Sequence, residues 1–176
     1  MLSWSTAVRP SRHRVDRGAP RRELALELSG CVFGCVLGTA PCSKTAVWTE
    51  RLRHQNPAHN TVVAEERGAL VRLVHTILDD HPVWGALVDN LHVAAAVKRQ
   101  GIGRELLARS ASAVLARATN KRLYLMVLET NTYAQAFYSA VGGECVGSET
   151  SDARGGGTVV GPRYVWRDPS VLLSRR

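Results

Sequence analysis

The chain has 176 residues, 45% of them hydrophobic, 22% charged and 6% aromatic, a length and balance that suit one ordinary globular domain. Lys and Arg number 23 against 15 acidic residues, a formal charge of +8, which excludes an acidic disordered chain and directs attention to anionic partners. Nucleic acid and a phosphorylated small molecule both qualify. The charge gathers at one end, because nine basic and four acidic residues lie in positions 1 to 60 and leave only +3 for the remainder.

Within that segment Arg9, Arg12, Arg14, Arg17, Arg21 and Arg22 are interspersed with Pro10, Gly18 and Pro20, the composition of a solvated basic arm. No first strand or helix pair is legible in residues 1–47, and Trp48 to Leu52 reads as the tail of a helix. The expected division is a basic N-terminal segment over 1–47, one domain over 48–170 and a C-terminal tail over 171–176. The apolar run Leu28 to Ala40 follows two arginines, as a secretory signal would. It begins far from Met1, carries Gly30, Gly34 and Gly38, follows Glu23 and Glu27, and falls short of the roughly 20 residues of a membrane span. A cytoplasmic protein without a membrane partner is expected. Cys31, Cys35, Cys42 and Cys145 are too few for a disulfide framework and have no matching ligand pair for zinc, so reduced thiols and no metal are expected.

From Thr61 onward the pattern sharpens. Thr61 to Ala64 and Ala69 to Leu78, separated by a charged turn at Glu65 to Gly68, form an antiparallel hairpin. Asp79 to Pro82 should break the chain, and Ala86 to Val93 supplies a third strand, with Leu87, Asp89, Leu91 and Val93 on one face and Val88, Asn90 and His92 on the other. Ile102, Leu106, Leu107, Ala111, Val114, Leu115 and Ala118 recur at three and four residues and predict a helix of about four turns, with Arg104, Arg109 and Arg117 outside the stripe. Leu123 to Leu128 reads as a strand buried on both faces. Thr130 or Thr132 can cap a short helix with Ala134, Phe137, Tyr138 and Val141 on one side, stopped by Gly142 and Gly143. Two strands around Gly155 to Gly157 complete the chain.

Two glycines one residue apart, in Lys98 to Glu105, open the long helix. Its first amides lack intrahelical acceptors, the helix dipole adds positive potential, and Lys98, Arg99 and Arg104 add charge, so the junction favours an anion. The three strands before it exclude the dinucleotide-binding βαβ unit, and no GxxxxGK[ST] is present.

Lys98 through Gly103 follows the pattern [RQ]xxGx[GA], with lysine first, and Asn131, Ala134, Phe137 and Tyr138 follow NxxAxxxY. On these two motifs the chain resembles the GNAT superfamily of acetyl-CoA-dependent N-acyltransferases over about Thr61 to Trp166. The resemblance implies an α/β fold of mixed α+β character: a central mixed, mostly antiparallel twisted sheet flanked by helices, its strands splayed at an acyl-CoA site. It implies transfer of an acetyl group from acetyl-CoA to a primary amine, without a metal. Lys98, Arg99, Gln100, Gly101, Ile102, Gly103 and Arg104 would surround the diphosphate of coenzyme A, with backbone amides of Gln100 to Arg104 as donors. Leu91, His92 and Val93 would pair with the pantetheine arm, Asn131 would bond that arm, and Tyr138 would stand by the thioester sulfur as general acid.

An alkylammonium with a pKa near 10.4 must lose a proton before it can attack. Candidate bases are Glu129 and Asp89, then His92, Glu65 and Glu66, each of which also has an ordinary surface or packing role. Two other functions stay open at this level: an acyl-CoA binder without turnover, and a nucleic-acid binder using the arginine-rich arm, which lacks interleaved aromatics. The amine's identity and a homodimeric state are not written in the sequence.

Overall fold

The computed structural model describes residues 3–6, 56–66, 69–93, 101–152 and 158–174. They form strands β1 (Ser3–Thr6), β2 (His59–Glu66), β3 (Ala69–His81) and β4 (Gly85–Val93), helix α1 (Ile102–Arg117), strand β5 (Leu123–Met126), helix α2 (Thr132–Ala140), strands β6 (Glu144–Asp152) and β7 (Thr158–Trp166), and a final 3₁₀ turn at Pro169–Leu172. One seven-stranded sheet has the order β1-β2-β3-β4-β5-β7-β6. All neighbours are antiparallel except β4 and β5, whose parallel pairing requires a crossover. Helix α1 supplies it.

From β2 onward the element order matches the sequence expectation. Of the expected N-terminal segment only Ser3–Thr6 is among the described residues, and it pairs with Val62 to Glu65 at the sheet edge; the arginine-rich arm and the Trp48 to Leu52 helix tail lie outside them, and four residues are too few for alternation to announce a strand.

The expected break at Asp79 is also displaced. Strand β3 continues to His81 through an irregularity after Ile77, where Asp79 takes φ 51, a left-handed conformation that Asp tolerates better than most residues. Its carboxylate accepts hydrogen bonds from the Thr119 N–H at 2.9 Å and the Asn120 N–H at 2.8 Å. These backbone donors hold its pKa below the usual carboxylate value. Asp79 thereby ties the end of α1 to the sheet.

Helix α1 buries Ile102, Leu106, Leu107, Ser110, Ala111 and Val114, its large aliphatic side chains each worth about 1.5–3 kcal/mol when fully withdrawn from water. Ser110 is polar in this stripe, and Thr76 Oγ1 donates to its hydroxyl at 2.8 Å, which removes the desolvation penalty. Helix α2 contributes Tyr138 and Val141 to the same cluster, with Ala134 and Phe137 packed at its margin. Its cap is Asn131, whose Oδ1 accepts from the Ala134 N–H at 3.1 Å, in place of the expected Thr130 or Thr132; Thr132 is already the first helical residue. Gly142, at φ 85, ends α2 with the Gly143 N–H on the Tyr138 carbonyl and the Gly142 N–H on that of Ser139, a Schellman closure. Leu172 of the final turn lies in the core. Among the described residues no helix is long and apolar enough to cross a membrane.

The two helices meet at Gly103, where a Cβ would stand 2.9 Å from Phe137 Cζ. Gly103→Ala should therefore cost about 1 kcal/mol more in the native background than in Phe137→Leu, a coupling that a double-mutant cycle by urea denaturation measures. Asp79→Ala should lower stability by about 1 kcal/mol at neutral pH through lost backbone hydrogen bonds. The depressed folded pKa means that this contribution is complete above the unfolded carboxylate value and disappears as pH falls through the folded one. The difference between native and variant should accordingly be flat from pH 7 to about 5 and shrink below about 4. Asp79→Asn, which keeps an acceptor and tolerates positive φ, should lose less.

Candidate functional site

The site is built on a fault in the sheet. Strand β4 pairs with β5 only through Ala86↔Leu123 and Leu87↔Tyr124, whereas on its other side it pairs with β3 as far as Val93. Two features force the separation. His75 stands opposite Asn90 and the next residue, Thr76, opposite Val88, so Asp89 is the extra residue of a β-bulge, which bends its strand and increases its twist. Beyond Met126, β5 follows β7 instead, because the Val127 N–H bonds the Pro162 carbonyl at 3.1 Å. Gly161 makes room for that crossing, since a Cβ there would stand 1.9 Å from the Val127 carbonyl oxygen.

The result is a cleft with one wall formed by the edge of Val88 to Val93. Among the described residues, this stretch has no ladder partner on the β5 side. The bulge also resets the alternation along β4. Ala86 and Val88 belong to the core beneath α1, and Leu91 and Val93 pack against that same core. The expected grouping of Leu87 with Leu91, and of Val88 with Asn90, is therefore overturned by one inserted residue. His92 is half-buried opposite Leu73.

Helix α1 opens at Gly101, whose φ of 77 is left-handed and whose Cβ position would have nothing within 4 Å. No side-chain hydrogen bond caps this end. The N–H groups of Ile102, Gly103 and Arg104 precede the first intrahelical bond, which Glu105 N–H makes to the Gly101 carbonyl at 3.1 Å. Two charged neighbours are held away: Glu105 turns back along the helix to Arg109 at 3.0 Å, and Arg104 Nη2 donates to the Ser174 carbonyl at 2.9 Å. The sequence expectation placed the Arg104 charge at the anion; its guanidinium instead holds the C-terminal turn. Lys98, Arg99 and Gln100 lie outside the described residues. The two glycines have separate reasons, Gly101 for its backbone angle and Gly103 for the Phe137 ring.

Helix α2 borders the other side. Asn131 uses Oδ1 as its cap, so the amide NH₂ is the donor left to a ligand. Tyr138 is 8% exposed, packed at ring-centroid distances of 5.3 Å to Phe137 and 5.7 Å to Tyr164 and edge-on to Trp166. Burial pushes its phenol up to about 12. Of the candidate bases, Asp89 is half-buried at the bulge, Glu129 is exposed in the turn between β5 and α2, and Glu65 and Glu66 end β2 opposite Leu70 and Ala69. The structure brings Asp89, Leu91, His92 and Val93 onto the open strand and gathers Gly101 to Arg104 in one turn, while Glu65 and Glu66 sit two strands away from the cleft.

Sequence reasoning missed the residues that open the cleft. Gly161 and Pro162 are the available signal, because a glycine–proline pair inside a strand marks close backbone approach or a broken ladder.

Known proteins share this fold. The acetyltransferase (GNAT) family model matches residues 29–142, more than half of the chain. A GNAT-family protein from Desulfovibrio desulfuricans has a TM-score of 0.67 at 15% identity, covering 94% of this chain and 98% of its own. The spermidine N-acetyltransferase SpeG of Vibrio cholerae has a TM-score of 0.63 at 18% identity, with 99% and 97% covered. A Salmonella typhimurium protein solved with its cofactor acetyl-CoA has a TM-score of 0.54 at 13% identity, with 88% and 87% covered. No curated protein sequence matches the chain. The shared fold and the family match carry one conclusion: this chain belongs to the acetyltransferase (GNAT) family.

Proposed function

We propose that this protein transfers the acetyl group of acetyl-CoA to a primary amine, with the thioester held in the cleft between β4 and β5. The observation that carries the reading is the coincidence of the parted strands with an uncapped helix start. Beyond Leu87 the main chain of β4 is not matched in register by β5, and the α1 turn offers main-chain donors alone. Coenzyme A has the complementary chemistry: an amide-bearing arm to lie along a strand, and a diphosphate to meet the N–H groups of Gly101 to Arg104. The acetyl-CoA complex of the Salmonella neighbour supports the same co-substrate, and the spermidine acceptor named for the Vibrio neighbour is of the proposed amine class.

In this reading Leu91, His92 and Val93 pair through their backbone with the arm, and the Asn131 amide donates to it. Lys98, Arg99 and Gln100, which precede the turn, add charge and donors for the diphosphate. The amine must arrive neutral, at a cost of about 3.4 pH units or about 4.6 kcal/mol for an ordinary alkylamine at pH 7. Asp89 at the bulge and Glu129 in the turn between β5 and α2 are the proposed acceptors of that proton, directly or through water.

Tyr138 serves the departing sulfur. A thiol resembling cysteine has a pKa of about 8.5, so complete transfer from a phenol near 12 runs uphill by about 3.5 pH units, or roughly 5 kcal/mol. Its hydroxyl therefore acts by donating a hydrogen bond as charge builds on sulfur, a contribution at or below the lower end of the roughly 10²–10⁴ range of general acids.

Calorimetry with acetyl-CoA should give saturable binding, and free thiol should appear when a panel of primary amines is added. Binding without thiol release across the panel would reduce the protein to a coenzyme binder; absence of binding would remove the proposal. Tyr138→Phe should lower kcat by about 10- to 100-fold and leave the KM for acetyl-CoA within about two-fold. A native kcat in that variant would exclude Tyr138 from the chemistry.

A further inference from the structure

The cleft has a closed end, where β4 and β5 are still paired, and one side chain reaches both strands there. Leu123, Leu125 and Val127 belong to the core beneath α1, as do Tyr164 and Trp166 of β7. Strand alternation therefore puts Tyr124 and Arg163 on the opposite face of the sheet. Arg163 stands across from Met126, and its Cζ lies 5.6 Å from the ring centre of Tyr124 and 4.8 Å from that of Trp84. Tyr124 is the last β5 residue in register with β4, and Trp84 immediately precedes β4. The guanidinium thus spans from β7 over β5 to the base of β4. Each of its contacts is held in turn: Tyr124 Oη donates to Asp80 Oδ2 at 2.5 Å, the Trp84 N–H donates to His81 Nδ1 at 3.3 Å, and Glu149 on β6 accepts from both Nη1 and Nη2 of Arg163.

Arg163 is 7% exposed, and among the described residues its buried Nε has no hydrogen-bond partner. Burying a guanidinium costs more than burying an apolar side chain, and apolar residues commonly replace such pairs without loss of stability. Stability alone does not account for an arginine here. A planar cation that lies on two rings while a carboxylate fixes its orientation does. We propose that Arg163 is a positioning residue that sets where β4 and β5 part. This rests on the reading above, in which the pantetheine arm lies along β4. With the guanidinium on Trp84 and Tyr124, the pairs Ala86↔Leu123 and Leu87↔Tyr124 stay closed and the opening begins at Val88. Without it the base of β4 is untied from β5, and the edge that meets the arm loses its position. Arg163 faces away from α1, so the first turn of that helix keeps its place.

The test compares acetyl-CoA with 3′-phospho-ADP, which keeps the diphosphate and lacks the arm, by calorimetry on the whole chain. Arg163→Met, which keeps the length of the side chain and removes its charge, should bind acetyl-CoA about 10-fold more weakly and 3′-phospho-ADP as well as the native protein does. Amide exchange at Ala86 and Leu87 should quicken about 10-fold in the same variant, while the β2–β3 ladder keeps its rate. Trp84→Leu removes the β4 contact and leaves the Arg163–Glu149 pair intact; it should show the same selective loss, so the test survives if Arg163→Met does not fold. Native acetyl-CoA affinity, equal weakening of both ligands, or unchanged exchange at Ala86 and Leu87 would overturn the positioning role while leaving the coenzyme reading in place. Native protein that binds neither ligand would overturn the coenzyme reading, and the positioning role with it.

Discussion

Parallel strands β4 and β5 can satisfy each other's backbone along their whole length, and here they do so for two residue pairs only. The functional architecture depends on this separation. A sheet gives up ladder hydrogen bonds only where something else holds both strands, since an exposed run of main-chain groups invites re-pairing. On one side the bulge at Asp89 keeps β4 on β3 while bending it. On the other, the Val127–Pro162 bond carries the β5 chain onto β7. Both anchors act within a few residues of where the pairing stops.

The helices turn that opening into a site with two ends. Helix α1, docked by its aliphatic stripe and fastened at its far end by Asp79, has its near end fixed with its first amides uncapped. Helix α2 is pinned by Asn131 at one terminus and by the Gly142–Gly143 closure at the other. The short span between those pins places Tyr138 against the aromatic group of β7. A phenol is protonated at neutral pH with or without burial, so packing Tyr138 in the core leaves it a hydrogen-bond donor while making it a weaker acid. Gly103 couples the two helices through Phe137, and a change there reaches both ends of the cleft.

Much of this was legible in the chain. The three- and four-residue spacing from Ile102 to Ala118 announced α1 because one face had to be buried, and the glycine pair before it announced an unusual helix start. The motif residues Asn131 and Tyr138 fell on the element they predicted. What the sequence left hidden are features decided by neighbours distant in the chain. The bulge at Asp89 inverts the faces of β4, yet nothing in Val88-Asp89-Asn90 signals an inserted residue, because its partners are on β3. Arg104 looked like a ligand for an anion and is taken by Ser174, seventy positions away. Asp79 looked like a turn residue, and its carboxylate is set by two amides beyond α1. Strand β1 is too short to show a period, and Lys98, Arg99 and Gln100 lie outside the described residues.

Hydrogen–deuterium exchange with and without acetyl-CoA tests the central claim most directly, because it reads the amides on which the account depends. Protection should rise at Val88 to Val93 on the open edge of β4 and at Ile102 to Arg104 in the first turn of α1, while the antiparallel β2–β3 ladder keeps its rate. Saturating coenzyme that leaves both segments unchanged, or protects the chain elsewhere, would contradict the assignment of the parted strands as the acyl-coenzyme site.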